Sequence, residues 1–135
     1  MSFDIFLQCF RDGEVAAFER AAFEKIFGPL AVGRRNEKGF VRMEFSDGGA
    51  EIYIRDDDKL TSIMFNHCGG DVFFEALYLL ADAIKGLIYW PGVAPSSVIT
   101  EAAMLRHIPE EFVKGCGPPI VVKNGEEITE AIRNS

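Results

Sequence analysis

The chain has 135 residues, of which 48% are apolar and 26% charged, and its formal net charge is −7. This length is common for a single domain, and this composition excludes global disorder. Nucleic-acid binding needs clustered Lys and Arg, whereas the 14 basic residues here are scattered among 21 acidic ones. We therefore predict one domain over residues 1–135 that does not bind nucleic acid. The acidity is explained first by solubility and otherwise by a basic protein partner, and we expect the partner to be a protein or a second copy of the chain.

The sequence also bears on the compartment. No apolar run approaches the roughly 20 residues that a membrane helix needs, and the start Met1–Asp4 lacks the basic and apolar regions of a signal peptide. Cys9, Cys68 and Cys116 are odd in number and far apart, which is typical of free thiols in a reducing compartment. We expect a cytoplasmic protein that makes no membrane contact.

The first half of the chain predicts one strand, one helix and a meander. The strand covers Phe3–Phe10, where an apolar and a mixed face alternate. The helix covers Glu14–Phe27, because Gly28 and Pro29 end its apolar stripe. The polar stretch 30–38 is predicted as a loop. Tight turns then separate three strands, which indicates an antiparallel meander over residues 40–45, 50–55 and 59–67.

The second helix is predicted over residues 72–85, after Gly69 and Gly70 break the strand and Asp71 caps the first turn. Its apolar arc is so wide that the helix lies either at the centre of the fold or under a partner. A short strand follows over residues 87–90. Weaker patterns predict extended segments at 98–100 and 120–123 and helical segments at 101–106, 109–114 and 126–133.

The order of these elements predicts the fold class. A strand, a helix, three strands and a second helix favour an α+β fold. The expected form is a two-layer sandwich, in which a mainly antiparallel sheet carries two main helices packed on one face. This arrangement is ferredoxin-like with C-terminal additions, although the meander has one strand more than that topology requires.

Reactive residue types are densest where the third meander strand meets the second helix, in the turn Asn66–Asp71. One interpretation is catalytic: Cys68 is a nucleophile whose pKa the helix start lowers, and its base comes from His67 or the distant His107. The other is a ligand site, because backbone N–H groups at a helix start bind anions. The ligand-binding residues of that site would be Asn66, His67, Gly69 and Gly70.

A packing interpretation of the same turn competes with both. Neighbours on a strand point to opposite faces, so His67 cannot readily act on Cys68. A free cysteine commonly behaves as a small buried apolar residue. His67 shares the parity of Ile63 and Phe65, which fits a hydrogen-bonded, half-buried histidine, and the two glycines then form a tight turn. We favour this interpretation and predict no catalytic residue.

Metal and cofactor sites are not predicted either. The cysteines and histidines form no C-x-x-C pair of the kind that structural zinc sites use. The acidic turn Asp56–Asp58 lacks the EF-hand pattern. The sequence also contains no P-loop, no dinucleotide-binding motif and no nucleophile elbow. We therefore expect no metal and no cofactor.

Two apolar regions are candidate interfaces. Tyr89 and the single tryptophan, Trp90, precede a Pro-Gly turn, and such aromatic residues commonly anchor protein interfaces. For Trp90 we favour the alternative, a lid on the hydrophobic core, because burial explains most large aromatic residues. On the second helix, Phe74 lies on the wide apolar arc and Tyr78 lies beside it. This helix surface is also suited to a homodimer.

Four phrases lie along most of the chain: Met1–Gln8, Phe65–Gly70, Trp90–Gly92 and His107–Pro109. With them the chain resembles a group of small, uncharacterised bacterial cytoplasmic α+β proteins. The resemblance implies a bacterial, cytoplasmic protein and carries no known reaction. Some small acidic proteins of this build neutralise toxins, so the resemblance favours a binding role.

The leading hypothesis is a non-enzymatic protein-binding domain of unknown partner, and a toxin-neutralising immunity protein is one form of it. It depends on the net charge of −7, the missing catalytic motifs and the two apolar regions. The alternative is a small enzyme or an anion- or ligand-binding protein that uses the Asn66–Asp71 turn. Cys68 or His67 would then be its main functional residue, and His107 would be a supporting one. Self-association through the second helix is compatible with either hypothesis.

Overall fold

A nine-stranded, mostly antiparallel sheet lies at the centre of the computed structural model, which describes residues 4–135. Across the sheet the strand order is β11-β10-β9-β1-β8-β6-β5-β4, and β2 pairs with β1. Two further strands, β3 and β7, form a separate ribbon. The bounds are β1 (Ile5–Arg11), β2 (Glu14–Val15), β3 (Phe18–Glu19), β4 (Gly33–Glu37), β5 (Phe40–Phe45), β6 (Gly48–Tyr53), β7 (Lys59–Leu60), β8 (Ser62–Gly69), β9 (Gly86–Tyr89), β10 (Ser97–Ile99) and β11 (Ile120–Val121).

Four α-helices and two 3-10 segments accompany the sheet in the described part of the chain. The helices are α1 (Arg20–Phe27), α2 (Asp71–Ile84), α3 (Glu110–Cys116) and α4 (Gly125–Arg133), and the 3-10 segments are Gly28–Leu30 and Ala102–His107. None of the helices within residues 4–135 combines the length and the apolarity needed to cross a membrane. The predicted α+β class with a mainly antiparallel sheet is confirmed, and β10 and β11 add one parallel pair.

Phenylalanine rings fill the main core between one face of the sheet and helices α1, α2 and α4. The ring centroids of Phe27 and Phe65 lie 5.9 Å apart, and those of Phe65 and Phe73 lie 5.4 Å apart. Phe23 stacks on Phe27 from the same helix. Each such ring contributes roughly 1.5–3 kcal/mol when it is fully buried. The many phenylalanines of the sequence therefore largely stabilise this one core.

The other face of the sheet, which we call the second face, is covered over only part of its width. Leu87 and Ile99 project from it because they alternate with the core residues Ile88 and Val98. The segment 102–116 packs over them and forms a small second core with Met104 and Ile108, lined by Phe10, Tyr89, Phe112 and Val113. The strands β8, β6 and β5 lie beyond this cover.

The first predicted helix begins later than expected. Residues 14–19 form strands β2 and β3, and α1 starts at Arg20. Asp12 and Gly13 both adopt positive φ, 52° and 83°, and Arg11 pairs with Glu14. A two-residue turn with positive φ at both positions closes a tight hairpin. This turn therefore ends β1 in a hairpin with β2, and the prediction of a helix from residue 14 is wrong.

The predicted loop at 30–38 contains an edge strand, β4, so this prediction is wrong as well. Its residues are polar because β4 forms one edge of the sheet, where charged side chains prevent further strand pairing. Arg34 leaves the strand to contact Glu24 on α1 with two hydrogen bonds of 2.9 Å. The remaining predicted elements are found within a few residues of their expected bounds. Phe3, which the sequence places in the first strand, lies outside the described residues.

Candidate functional site

A bulge in β8 determines which way the residues of the predicted 66–71 site point. Between the pairs Gly49–Gly69 and Glu51–Asn66, β8 has one residue more than β6. His67 adopts a left-handed φ of 46° in this bulge, and its side chain is 59% exposed. The prediction of a half-buried His67 is therefore wrong, because the extra residue reverses the alternation that the sequence shows up to Asn66.

The same bulge turns Cys68 towards the main core, where it packs as a half-buried residue. Burial raises the pKa of its thiol to about 11, because the charged thiolate loses solvation. The nearest histidine in sequence is engaged elsewhere, since His67 Nδ1 lies 3.0 Å from Glu51 Oε1. A thiol that stays protonated at neutral pH is a poor nucleophile. Its described surroundings therefore keep Cys68 protonated rather than activate it.

His107 lies at the opposite end of β1 from Cys68. Its Nδ1 accepts a 3.1 Å hydrogen bond from the Asp12 backbone N–H, and its carbonyl accepts one of 2.9 Å from Gly13. Ile5 at the other end of β1 pairs with Phe65 on β8. The strand between them spans about 20 Å at about 3.3 Å per residue. His107 therefore fastens segment 102–107 to the β1–β2 turn and does not meet Cys68.

The glycines of the predicted anion site serve the turn itself. Gly70 adopts a φ of 100°, and a Cβ added at Gly48 would lie 2.1 Å from the carbonyl oxygen of Gly69. The carboxylate of Asp47 accepts hydrogen bonds from the first backbone N–H groups of α2, 2.8 Å from Asp71 and 3.4 Å from Val72. This carboxylate occupies the position that a bound anion would take.

Cysteines and acidic residues form no metal centre in the described chain. Within residues 4–135, no group of three or more His, Cys, Asp or Glu side chains is arranged to hold a metal ion. Cys9, Cys68 and Cys116 are free thiols. Cys9 is buried under α2, where its thiol donates to the carbonyl of Ile84 at 3.4 Å. Burial raises the pKa of Cys9, so this thiol is a packing residue as well.

Tyr89 and Trp90 point to opposite faces of the sheet. Trp90 is only 2% exposed, and its indole Nε1 donates to the Ser135 hydroxyl at 3.0 Å. It is therefore a lid on the main core, as the alternative prediction states, and it offers no free surface to a partner. Tyr89 lies on the second face of the sheet, where its ring stacks on Phe6 with centroids 5.0 Å apart.

A continuous row of large side chains crosses five neighbouring strands on the second face. Tyr89 pairs with Phe6, Phe6 with Met64, and Met64 with Tyr53. The rings of Tyr53 and Phe40 then lie 5.2 Å apart. Strands are spaced about 4.8 Å apart, so this apolar row is about 19 Å long. The sequence alone does not show it, because each strand contributes one residue and the pairing register is not readable.

The apolar row is only half-buried. Within the described chain, Phe6, Phe40, Tyr53 and Met64 pack against neither the main core nor the second core. Tyr89 joins the row to the second core, where it meets Phe112 edge-to-face at 4.8 Å. Elsewhere in the strip, neither the helices that cover the first face nor segment 102–116 adds a core contact in the described chain.

A second row of polar side chains lies beside the apolar row, one pleat away. Glu51 is paired with Asn66 on β8 and with Arg42 on β5, and Asn66 donates a hydrogen bond to Asp4. His67 lowers the pKa of Glu51 by its hydrogen bond to that carboxylate. We call Asp4, Arg42, Glu51 and Asn66 the polar row. Of the predicted ligand-binding residues, Asn66 belongs to it, and His67 lies at its edge.

The predicted interface on the second helix is largely occupied within the chain. Phe74 packs on the main core and borders α4, whose Gly125 approaches the Phe74 backbone so closely that a Cβ there would lie 2.5 Å away. Tyr78 packs on the main core as well. Helix α2 therefore has a wide apolar arc because it is central in the fold, which is one of the two expectations; the other is cover by a partner. Between α2 and α4 lies an open cleft of about 600 Å³ lined by acidic side chains.

Comparison of the chain with protein-family models, with curated proteins and with solved structures finds no match.

Proposed function

We propose that this chain is a non-enzymatic protein-binding domain and that the apolar row is the centre of its binding surface. The observation that carries the proposal is the row itself: Tyr89, Phe6, Met64, Tyr53 and Phe40 form one strip on adjacent strands, and four of them support neither core. Folding stability does not require large rings that are left half-exposed. Such rings are expected, however, on a surface that a partner covers.

The composition of the row fits the centre of an interface. Aromatic side chains and Met are enriched there, and each ring covers about 150–250 Å² when buried. The rings are held in place by cross-strand neighbours, so a partner would immobilise few additional rotors. Rigid anchors of this kind lose little conformational entropy on binding. The polar row supplies hydrogen-bonding groups at the border of the strip, which is the usual position of an interface rim.

The charge around the rows favours a basic partner. Asp4 and Glu51 in the polar row are acidic, and its cation Arg42 is neutralised by Glu44, whose Oε1 lies 2.8 Å from its Nε. The neighbouring Arg35 is likewise paired with Glu37. The whole chain carries a net charge of −7. Complementary charge accelerates association and excludes wrong partners, although it adds less to affinity. A basic protein is therefore the occupant that we propose.

A toxin-neutralising immunity protein in a bacterial cytoplasm is the specific form that we propose. A toxin that attacks nucleic acid must itself carry a basic surface to bind phosphates. An acidic protein with a rigid aromatic strip has the means to cover such a surface, and Cys68, buried as a protonated thiol, is poorly suited to attack a substrate. Sequestration without chemistry is what this role requires.

We also propose a ferredoxin-like, two-layer core beneath this surface. The support is the order β9-β1-β8-β6, in which all neighbours are antiparallel. Helix α1 lies between β1 and β6 in sequence, and α2 lies between β8 and β9. Strands β4 and β5 would then be insertions, and residues 97–135 the C-terminal additions. In this arrangement both long connections cross one face, which leaves the other face free for binding.

The test is a comparison of two charge insertions. Met64→Glu places a carboxylate in the middle of the apolar row, whereas Val93→Glu changes a side chain that is 76% exposed and outside both rows. Wild type and both variants serve as baits in extracts of the native host, and the captured protein is purified and titrated by calorimetry. We expect Met64→Glu to weaken binding by about 30-fold or more, the effect of losing a hot spot, and Val93→Glu to leave it unchanged.

Further outcomes decide between occupants. A stoichiometric partner that binds Met64→Glu as tightly as wild type would refute the apolar row as the site. Light scattering that shows a wild-type dimer, dissociated by Met64→Glu, would replace the basic partner by a second copy of the chain. For the immunity role, co-expression of this protein with a toxin encoded beside its gene should restore growth. Wild type and Val93→Glu should rescue the cells, and Met64→Glu should not. Tyr53→Ala serves as a milder variant if Met64→Glu does not fold.

A further inference from the structure

A small cavity lies at the other end of β1, between the covered part of the second face and segment 102–108. Its volume is about 180 Å³. The floor is apolar and comes from the second core: Phe10, Leu87, Met104 and Ile108. The rim carries Arg11, Lys85 and Arg106, with Glu101 as its carboxylate. Three cations around one cavity are unusual for a chain whose net charge is −7.

Two of the rim cations lack a carboxylate partner. In the described chain, five of the eight arginines have a carboxylate oxygen within 4.0 Å, namely Arg20, Arg34, Arg35, Arg42 and Arg55. Of the other three, Arg11 and Arg106 border this cavity, and Arg133 borders the acidic cleft. Two of the three guanidinium groups without a carboxylate partner in the described chain thus lie at this cavity.

The third rim cation is neutralised within the chain. Lys85 Nζ lies 2.6 Å from Glu101 Oε1 and 3.4 Å from Asp82 Oδ1. The one carboxylate of the rim is therefore engaged and does not balance the two arginines. Arg106 lies against His107, with its Nε 3.3 Å from the imidazole Nε2, and His107 is in turn fixed to the β1–β2 turn.

We propose that this cavity binds a small carboxylic acid whose acid group is attached to a short apolar moiety. Guanidinium groups bind carboxylates with two parallel hydrogen bonds. The apolar floor selects against inorganic phosphate or sulfate, which have no apolar part to bury. The volume is below the roughly 300–1,000 Å³ of drug-sized ligand sites, so the ligand is a short aliphatic or single-ring acid.

This site is separate from the proposed protein-binding surface. It lies beneath segment 102–108 near Arg11, whereas the apolar row crosses β1 at Phe6 and continues away towards β5. The inference therefore does not depend on the proposed function. Failure to bind a carboxylate would leave the apolar row untouched, and failure of Met64→Glu to affect a protein partner would leave the cavity untouched.

The experiment uses three small probes on the full chain labelled with ¹⁵N. Benzoate carries the acid and the apolar ring, benzamide replaces the acid by a neutral group, and inorganic phosphate has the charge alone. We expect saturable shifts of the amides of Arg11, Leu87 and Arg106 with benzoate. Benzamide and phosphate should bind at least about 10-fold more weakly, because each lacks one of the two interactions.

Arginine variants test the rim. Arg106→Ala and Arg11→Ala should each weaken benzoate binding by about 10-fold, the usual effect of losing a charged hydrogen bond. Arg133→Ala is the matched control, since it removes an unpaired arginine outside the cavity, and it should have no effect. Benzamide binding as tightly as benzoate, phosphate binding as tightly as benzoate, or an equal loss in all three variants would each overturn the proposal. Absence of saturable benzoate shifts in the wild-type protein would do so as well.

Discussion

The two faces of the sheet are built from alternate residues of the same strands, yet they are buried to different extents. On β8, Phe65 is fully buried against the helices, whereas its neighbour Met64 lies half-exposed on the second face. On β1 the same contrast holds between Leu7 and Phe6. All four side chains are large and apolar. What separates them is the cover: α1, α2 and α4 pack over one face, whereas in the described chain the second core reaches the strip on the other face only at Tyr89.

The difference distinguishes apolar residues that stabilise the fold from apolar residues that are available for binding. A residue that supports the fold is covered within the chain, and its loss is felt in stability. A residue that is half-covered contributes less to folding, and its apolar area remains available to a partner. Substitutions on the covered face should therefore lower the free energy of unfolding, whereas substitutions on the open strip should mainly weaken binding of a partner.

The largest effect should come from paired truncations on β8. Phe65→Ala removes a ring from the centre of the main core and should lower the free energy of unfolding by about 3–5 kcal/mol. Met64→Ala, one position earlier, should lower it by less than about 1.5 kcal/mol, because much of its area is exposed in the folded state. Urea unfolding of both variants measures the ratio. Equal losses would show that the second face is covered as well.

The bulge in β8 extends the comparison to reactivity, because it places Cys68 on the core side and His67 on the open side. The thiol pKa of about 11, against an ordinary 9.0, makes the thiolate fraction at neutral pH about 100-fold smaller than in the unfolded chain. Alkylation by iodoacetamide should be slow and should keep accelerating up to about pH 11. Peptide mass spectrometry distinguishes Cys68 from the other thiols. Fast modification of native Cys68 at pH 7 would revive the enzyme hypothesis.

Gly48→Ala tests the close approach of β6 and β8 beside the bulge. The added methyl would lie 2.1 Å from the Gly69 carbonyl oxygen, so backbone must move. We expect a loss of about 2 kcal/mol in the free energy of unfolding. Gly115→Ala is the matched control, because nothing lies within 4 Å of its new methyl and the residue lies in helix α3 without a positive φ. That variant should be neutral or slightly stabilising.

Much of the fold was predictable because local patterns coincide with it. The meander, α2 and the strand around Ile88 follow from alternation, helical periodicity and turn residues, all of which a single segment displays. Strand β4 was not predictable in this way, since an edge strand such as Gly33–Glu37 has no buried face to produce alternation. The hairpin at Asp12 and Gly13 had its turn signal in the sequence, but the helical spacing after Glu14 obscured it.

The candidate surface was harder to predict than the fold. Tyr89 was identified from its own segment, but its neighbours in the apolar row come from four other strands and meet it only through the pairing register. Register depends on long-range packing, which no local pattern records. The bulge that reverses the alternation at His67 has the same origin. Trp90 differs from Tyr89 by one position, and that position decides between core and surface.

The smallest effect should come from His67, which belongs to the open side alone. Its hydrogen bond holds the pKa of Glu51 below the ordinary 4.5, so His67→Ala should raise that pKa, as ¹³C carboxyl titration would record. A lowered carboxyl pKa adds stability above the ordinary pKa, and this stability is lost as the pH falls through the lowered value. The wild-type protein should therefore lose slightly more stability than His67→Ala below pH 4.5. Because both groups are exposed, the change should be small, and a large loss at neutral pH would mean that His67 supports the fold rather than the surface.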